Sequence, residues 1–205
     1  PVGKIIYTQF LNSAGGIEAD VTITRLGADE FLIVTPAATI RRDLHWINGH
    51  IPDAAHAIAV DITVSEAVLA VMGPEARSFL QPLIPQSLEN KDFPFGTMQS
   101  IEIGHAIARA HRVSYVGELG WEIHHPLEYQ NHIFDKLMEH GKDFGLKPFG
   151  IRAMNSLRVE KSYKLVGTEL SIEYSPYESG LDRFIHPNKG NFIGLDALNK
   201  WREKG

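Results

Sequence analysis

Two short stretches place acids where strands would hold them. In NSAGGIEADVTITRL, residues 12–26, the Gly15-Gly16 pair feeds a run that alternates apolar and polar side chains. If residues 17–24 are extended, Ile17, Ala19, Val21 and Ile23 point one way, and Glu18, Asp20, Thr22 and Thr24 the other. Asp20 then presents a carboxylate with the Thr22 hydroxyl two residues on, a pair that can hold a polar ligand by a charge and a neutral hydrogen bond. An amphipathic strand whose polar face is simply wet carries the same pattern. In SYVGELGWEI, residues 114–123, Gly117 and Gly120 bracket Glu118-Leu119. That spacing predicts a tight reversal with Tyr115 and Glu122 on neighbouring strands. A buried glutamate facing a cleft accepts two parallel hydrogen bonds from a planar donor pair, either a guanidinium or the N–H and NH₂ edge of a 2-aminopyrimidinone. A surface strand residue, or the partner of an internal arginine, is the other reading of Glu122.

The elements that would position these residues mix strands and helices without a strict alternation. Residues 4–11 and 17–24 read as a hairpin with 12–16 as its loop, and 30–34 as a third strand. Thr35-Pro36 predicts an N-cap and first helical position, followed by Ile40, Leu44 and Ile47 at helical spacing and a stop at Gly49. A strand over 67–73 leads through Pro74 into a short helix reaching Gln81. Strands are then expected at 98–103, 105–116 and 121–125. A helix over 127–140 is expected to bury Ile133, Phe134, Leu137 and Met138, with further helices over 148–161 and 194–201. The pattern is that of an α+β protein with largely antiparallel sheets. Internal boundaries are expected near 61–66 and 141–148, where Gly141, Gly145 and Pro148 cluster.

Composition removes several classes of function. At 205 residues, 43% hydrophobic and 22% charged, the chain has the balance of a globular protein with a core that needs no staples. It has no cysteine, so disulfides, thiolate metal sites and a cysteine nucleophile are all excluded. No apolar run approaches the ~20 residues that span a bilayer, and no charged-then-apolar leader opens the chain. A net charge of −5 without a Lys/Arg cluster argues against nucleic acid. The 10 histidines include His124-His125 and His45 with His50, but no i, i+4 metal pattern, and no metal site is expected. There is no GxSxG elbow, P-loop or dinucleotide fingerprint. Arg152, Arg158, Lys161 and Lys164 fall near one helix, either facing an anionic ligand tail or forming a solvated face. The first residue is Pro1, not methionine, and both ends read as cut or processed.

NSAGGIEAD, YVGELGWEI, AMNSLRVEK followed by LVGTEL, and GNFIGLDAL occur in the order and spacing of the aminomethyltransferase (glycine-cleavage T-protein) superfamily. Over nearly its whole length the chain resembles that superfamily, and most of all the folate-binding portion of dimethylglycine and sarcosine dehydrogenases. The resemblance implies a folate-binding aminomethyltransferase-like fold of several domains around a central folate channel. Residues 1–64 are expected to form the first part of the folate-binding domain, 65–145 a ferredoxin-like subdomain, and 146–205 a return segment completing the first domain. The N-terminal portion of the fold and the small C-terminal barrel are expected to be absent.

The resemblance also implies roles. Asp20 matches a catalytic aspartate near the reactive nitrogens of folate, and Thr22 a folate contact. Tyr115 and Glu122 match the residues that hold the pterin, with Glu122 opposite its N3 and 2-amino donors. Met154-Asn155 stands where the glycine-cleavage enzymes have an Arg-Asp pair, and Arg183 lies in a segment where they have a tryptophan. These departures favour the dehydrogenase-like branch. The implied activity is tetrahydrofolate-dependent one-carbon transfer, forming 5,10-methylenetetrahydrofolate from an amine-derived iminium or formaldehyde. A non-catalytic folate-binding module and a degraded fragment are the alternatives. Tetrahydrofolate is the expected cofactor, and FAD is expected only if an oxidase domain precedes this segment in the same chain. The expected compartment is the cytoplasm, or the mitochondrial matrix in a eukaryote.

Overall fold

The computed structural model describes residues 1–204; Gly205 lies outside the described residues. The chain divides into two compact units. The first comprises Pro1–Ile5, Thr24–Ala28 and Asp61–Tyr163, and the second Ile6–Ile23, Asp29–Val60 and Lys164–Gly205. The segment expected to be ferredoxin-like, 65–145, falls within the first unit, which runs on to Tyr163.

In the first unit, strands β4 (Glu66–Met72), β5 (Met98–Ile103), β6 (Ala106–His111) and β7 (Gly120–Pro126) form an antiparallel sheet in the order β4-β7-β6-β5. Period-two alternation gives the sheet one apolar face. Val71, Ile101, Ile103, Ala106, Ala108, Ala110, Trp121 and Ile123 are buried there against Ala76, Phe79 and Leu80 of helix α2 (Ala76–Leu80) and Ile133 and Leu137 of helix α3 (Gln130–His140). Both helices therefore cover one face, as in a ferredoxin-like layer, although the element order here is strand–helix–strand–strand–strand–helix. On α3 only the i, i+4 pair Ile133 and Leu137 is buried. Phe134, expected in the core, is 39% exposed because it lies one position round the helix from that stripe.

One strand end departs from expectation by more than a residue. β6 stops at His111, not Val116, because the Val113 N–H bonds back to the His111 carbonyl at 3.0 Å and Gly117 adopts φ +73°. Residues 112–119 are consequently a loop. At its far end a Cβ on Gly120 would strike the Val71 carbonyl, so only glycine permits β7 to lie this close to β4. The last helix of this unit, α4 (Ile151–Glu160), is shorter than the expected 148–161.

The second unit holds most of a three-stranded sheet, ordered β1 (Ile5–Leu11), β2 (Ile17–Arg25), β3 (Phe31–Val34). The hairpin loop closes through Asn12, whose N–H donates to Gly16 O at 2.9 Å and whose Oδ1 accepts the Ala14 and Gly16 N–H groups. Gly16 is required there, since any Cβ would collide with the Ile172 carbonyl. Leu11, Ile17, Leu170, Leu181 and Leu198, the last from α5 (Leu195–Lys204), form this unit's core, with Tyr7 and Phe184 packed edge to face at 4.7 Å. Helix α1 (Ile40–Gly49) does not start at Pro36. Residues 37–39 form a 3₁₀ turn first, and the Thr35 hydroxyl, expected as a cap, donates instead to Asp43. Thr39 Oγ1 donates to the same carboxylate at 2.6 Å, so the buried Asp43 is satisfied by its own helix start.

Candidate functional site

On β2 the expected alternation holds through Thr22: Ile17, Ala19 and Val21 are buried, while Glu18, Asp20 and Thr22 are half-buried. It then inverts. Ile23 is half-buried, and Thr24, expected beside Asp20 and Thr22, is fully buried, with no hydrogen-bond partner for its hydroxyl among the described residues. The inversion falls where the strand passes into the first unit.

Asp20 is held by side chains of β1. The Gln9 amide donates to Asp20 Oδ1 at 2.8 Å, and Tyr7 bonds the same carboxylate. Burial pushes the Asp20 carboxyl above its ordinary 3.8, and the two hydrogen bonds pull it only part of the way back. Such a carboxylate is oriented, poorly solvated and a better proton acceptor than a surface aspartate.

Glu122 lies on the sheet face of the first unit opposite the helices. Its cross-strand neighbours are Ala70 on β4 and His111 on β6. Tyr115, expected on the neighbouring strand, sits instead in the 112–119 loop. Glu122 is 25% exposed and, among the described residues, does not partner an internal arginine; Arg109 pairs with Glu66 at 2.6 Å. Among the described residues its side chain meets one polar group, His124 Nε2, at a long 3.4 Å. His124 stacks on His111 with ring centroids 4.1 Å apart. Burial, with the charges of His124 and Arg109, holds His111 down at about 3, and its Nε2 is buried without a partner among the described residues. The sequence reading weighed His124 only as a metal ligand and did not single out His111. His124 carried a signal, standing two residues from Glu122 and hence on the same strand face.

The 112–119 loop packs on the end of α4. A Cβ on Gly117 would collide with the Lys161 methylenes, and the Tyr115 ring lies 18° from parallel to Tyr163, centroids 6.4 Å apart. Between loop and helix end is a cleft of about 230 Å³, walled by Phe95, Arg112, Ser114, Gly117, Glu118 and Tyr163 among others. Tyr115 and Glu122 are not part of that wall.

Of the expected basic group, Arg158 is turned inward. It is 3% exposed, donating to Asn155 Oδ1 at 2.9 Å and Tyr163 O at 2.8 Å. It neither faces a ligand tail nor belongs to a solvated face. Asn155, one of the two departures on this helix, is thus part of that anchor. Arg183, the other departure noted, lies over the Phe184 ring at 4.7 Å. Among the described residues no three His, Asp or Glu side chains are grouped to hold a metal ion, and no helix is long and apolar enough to cross a membrane.

The comparisons agree with this architecture. The GCVT N-terminal domain family matches residues 1–189. The chain is 34% identical over 206 aligned residues to mitochondrial dimethylglycine dehydrogenase of Homo sapiens, covering 100% of itself and 24% of that protein. It is 37% identical over 205 aligned residues to the aminomethyltransferase of Thermoanaerobacter pseudethanolicus, covering 98% of itself and 54% of that enzyme. Among solved structures, aminomethyltransferase T of the glycine cleavage system from Bartonella henselae superposes with a TM-score of 0.81 at 25% identity, over 100% of this chain and 54% of that one. The chain therefore spans about half the length of its aminomethyltransferase relatives and about a quarter of the dehydrogenase. An antiparallel α+β fold, an acid-bearing hairpin and a match across 1–189 lead to one assignment: the chain belongs to the GCVT N-terminal domain family of aminomethyltransferases and dimethylglycine dehydrogenases.

Proposed function

We propose that this chain is the folate-binding part of a tetrahydrofolate-dependent one-carbon transferase, which takes the carbon of an amine-derived iminium or of formaldehyde into 5,10-methylenetetrahydrofolate. The observation that carries the reading is Asp20, a partly buried carboxylate fixed by Gln9 and Tyr7 on the hairpin of a GCVT-family chain. The donor and acceptor set fits a reduced folate. Glu122 keeps lone pairs available beyond its long contact with His124, as the N–H and NH₂ edge of a 2-aminopyrimidinone requires. In this reading Glu122 and Tyr115 hold the pterin, and Thr22 adds a hydroxyl beside Asp20.

Tetrahydrofolate, when bound, supplies the nucleophilic nitrogen. Asp20 stabilises positive charge developing at the transferred carbon and accepts a proton as that charge is discharged. A raised pKa strengthens the proton-accepting role. The dehydrogenase relative, of which the chain covers 24%, supports an amine-oxidising segment in the same polypeptide as the source of the carbon, and FAD enters only if such a segment precedes this one. The relative named mitochondrial supports the matrix in a eukaryote, with the cytoplasm the bacterial counterpart. We include in this proposal the division of the fold into 1–64 with 146–205 as the folate-binding domain and 65–145 as the ferredoxin-like subdomain.

The test is the rate of tetrahydrofolate capture of formaldehyde against the spontaneous reaction, for the wild-type chain and Asp20→Ala. Acceleration that Asp20→Ala abolishes supports the transferase. Folate binding without acceleration supports the binding module instead.

A further inference from the structure

Two guanidiniums in the first unit converge on one uncharged oxygen. Arg77, on α2, and Arg112, just past β6, each donate an Nη2 hydrogen bond to Asn90 Oδ1, at 2.5 and 2.6 Å. Their Nη2 atoms are thus no farther apart than those two bonds laid end to end. Both groups also lie over the Trp121 ring, 5.9 and 5.7 Å from its centroid. Trp121 belongs to the helix-side core, while Glu122, the next residue of β7, faces the other way. The arginine pair is therefore off the sheet face that carries Glu122.

Anchoring the chain accounts for only part of this arrangement. Arg77 Nε donates to the Leu88 carbonyl at 2.9 Å and Arg112 Nη1 to that of Phe93, which ties residues 88–93 to α2 and to the end of β6. Those bonds need N–H donors, not two full charges meeting at one amide oxygen. Arg42 and Arg109 each have a carboxylate partner. Among the described residues no carboxylate comes within 4.0 Å of Arg77 or Arg112, not even Glu118, which walls the same cleft as Arg112. Burial, and then the Arg77 charge, hold the Arg112 guanidinium below its ordinary value. Stacking on Trp121 attracts each cation without cancelling its repulsion of the other. Asn90 is exposed, so the point where the charges meet opens to solvent. Both guanidiniums keep N–H groups beyond the bonds already named, Arg77 Nη1 among them.

We propose that Arg77 and Arg112 form a binding site for a small oxyanion, a phosphate or a carboxylate, which enters at Asn90 and is held between the two guanidiniums. A planar fork of donors on each side suits the oxygens of either group. The charge of the anion offsets a repulsion that the neutral Asn90 amide leaves standing. No covalent bond is made or broken. The site is independent of the folate-binding reading, and its ligand stabilises the folded chain by mass action.

The test is the melting temperature of the full chain titrated with sodium phosphate and, separately, with sodium acetate, sodium chloride holding the ionic strength constant, for wild type, Arg77→Gln and Asn90→Asp. In wild type the Tm is expected to rise and saturate with at least one of the two anions. Asn90→Asp supplies a carboxylate at the meeting point, so its Tm in chloride alone is expected above that of wild type. Its half-saturating anion concentration is expected about 10-fold higher or beyond reach, the scale of one hydrogen bond to a charged group. Arg77→Gln, which keeps a donor without the charge, is expected to lose the rise as well. A rise with phosphate alone identifies a phosphoryl ligand, and a rise with acetate a carboxylate. No saturating rise in wild type with either anion overturns the site. So does a rise of equal size in Asn90→Asp, which marks general exclusion of the anion from the protein surface. Because Asn90 is exposed, that variant decides the matter should Arg77→Gln fail to fold.

Discussion

Gln9 donates its amide to the Asp20 carboxylate across 2.8 Å, so an uncharged residue of β1 sets the basicity of the acid on β2. Burial raises the Asp20 pKa, and this hydrogen bond is the largest effect opposing the rise. Removing the donor in Gln9→Met leaves burial less opposed and lifts the pKa further. If Asp20 works ionised, transfer falls as pH drops through that pKa. The acid limb of the kcat/KM profile is therefore expected to move to higher pH in Gln9→Met, with the plateau above it little changed. A limb that stays in place would separate Gln9 from the chemistry.

Asp20→Ala is expected to lower transfer about 10²-fold or more, the usual scale for a positioned proton acceptor, while the Kd for folate changes little. Single-turnover transfer and calorimetric binding on the same preparation check the two halves of this statement. Equal turnover would remove Asp20 from the mechanism.

Replacing the same residue by its amide exposes a stability cost. Below 3.8, the ordinary carboxyl value, Asp20 is protonated in both folded and unfolded chains and costs nothing. As pH rises, the unfolded chain ionises first, and stability is lost until the raised folded pKa has been passed. Asp20→Asn escapes this loss and still accepts the Gln9 hydrogen bond. Its Tm is expected to exceed that of wild type at pH 7, with the advantage vanishing below about pH 4. Equal melting temperatures at pH 7 would mean that water reaches the carboxylate more fully than its burial indicates.

Much of this was legible in the sequence wherever alternation was strict. Met98–Ile103 has the bounds expected of it, and β2 presents Asp20 and Thr22 on its half-buried face as its pattern required. The 112–116 stretch misled because Val113, Tyr115 and Val116 are strand-favouring residues. Its course is decided instead by a backbone bond from Val113 to His111 and by Gly117, which no propensity records. Tyr163 gave no sign of itself. It follows a helix end whose left-handed residue is serine, so the glycine that normally marks such a stop is missing.

His111 makes the fold sensitive to acid. Its folded pKa, about 3, lies below the ordinary 6.5, so the unfolded chain takes up a proton first as pH falls. The stability that neutral His111 gives is complete above pH 6.5 and drains away as pH falls toward 3. In His111→Phe the ring that stacks on His124 remains and the titration is gone. The acid-unfolding midpoint of this variant is expected at lower pH than wild type, with similar stability at pH 8. Coincident acid transitions would show that other groups dominate.

Ser162 provides a separate measure of strain at the end of α4. Its φ of +58° costs a residue with a Cβ about 1 kcal/mol or more, and the two hydrogen bonds around it keep the backbone there. Glycine adopts the same conformation without that cost but loses more entropy on folding, which offsets part of the gain. Ser162→Gly is expected to stabilise the chain by about 0.5–1 kcal/mol in urea unfolding, with the m value unchanged. Unchanged or lower stability would show that the serine side chain offsets the strain of its own backbone.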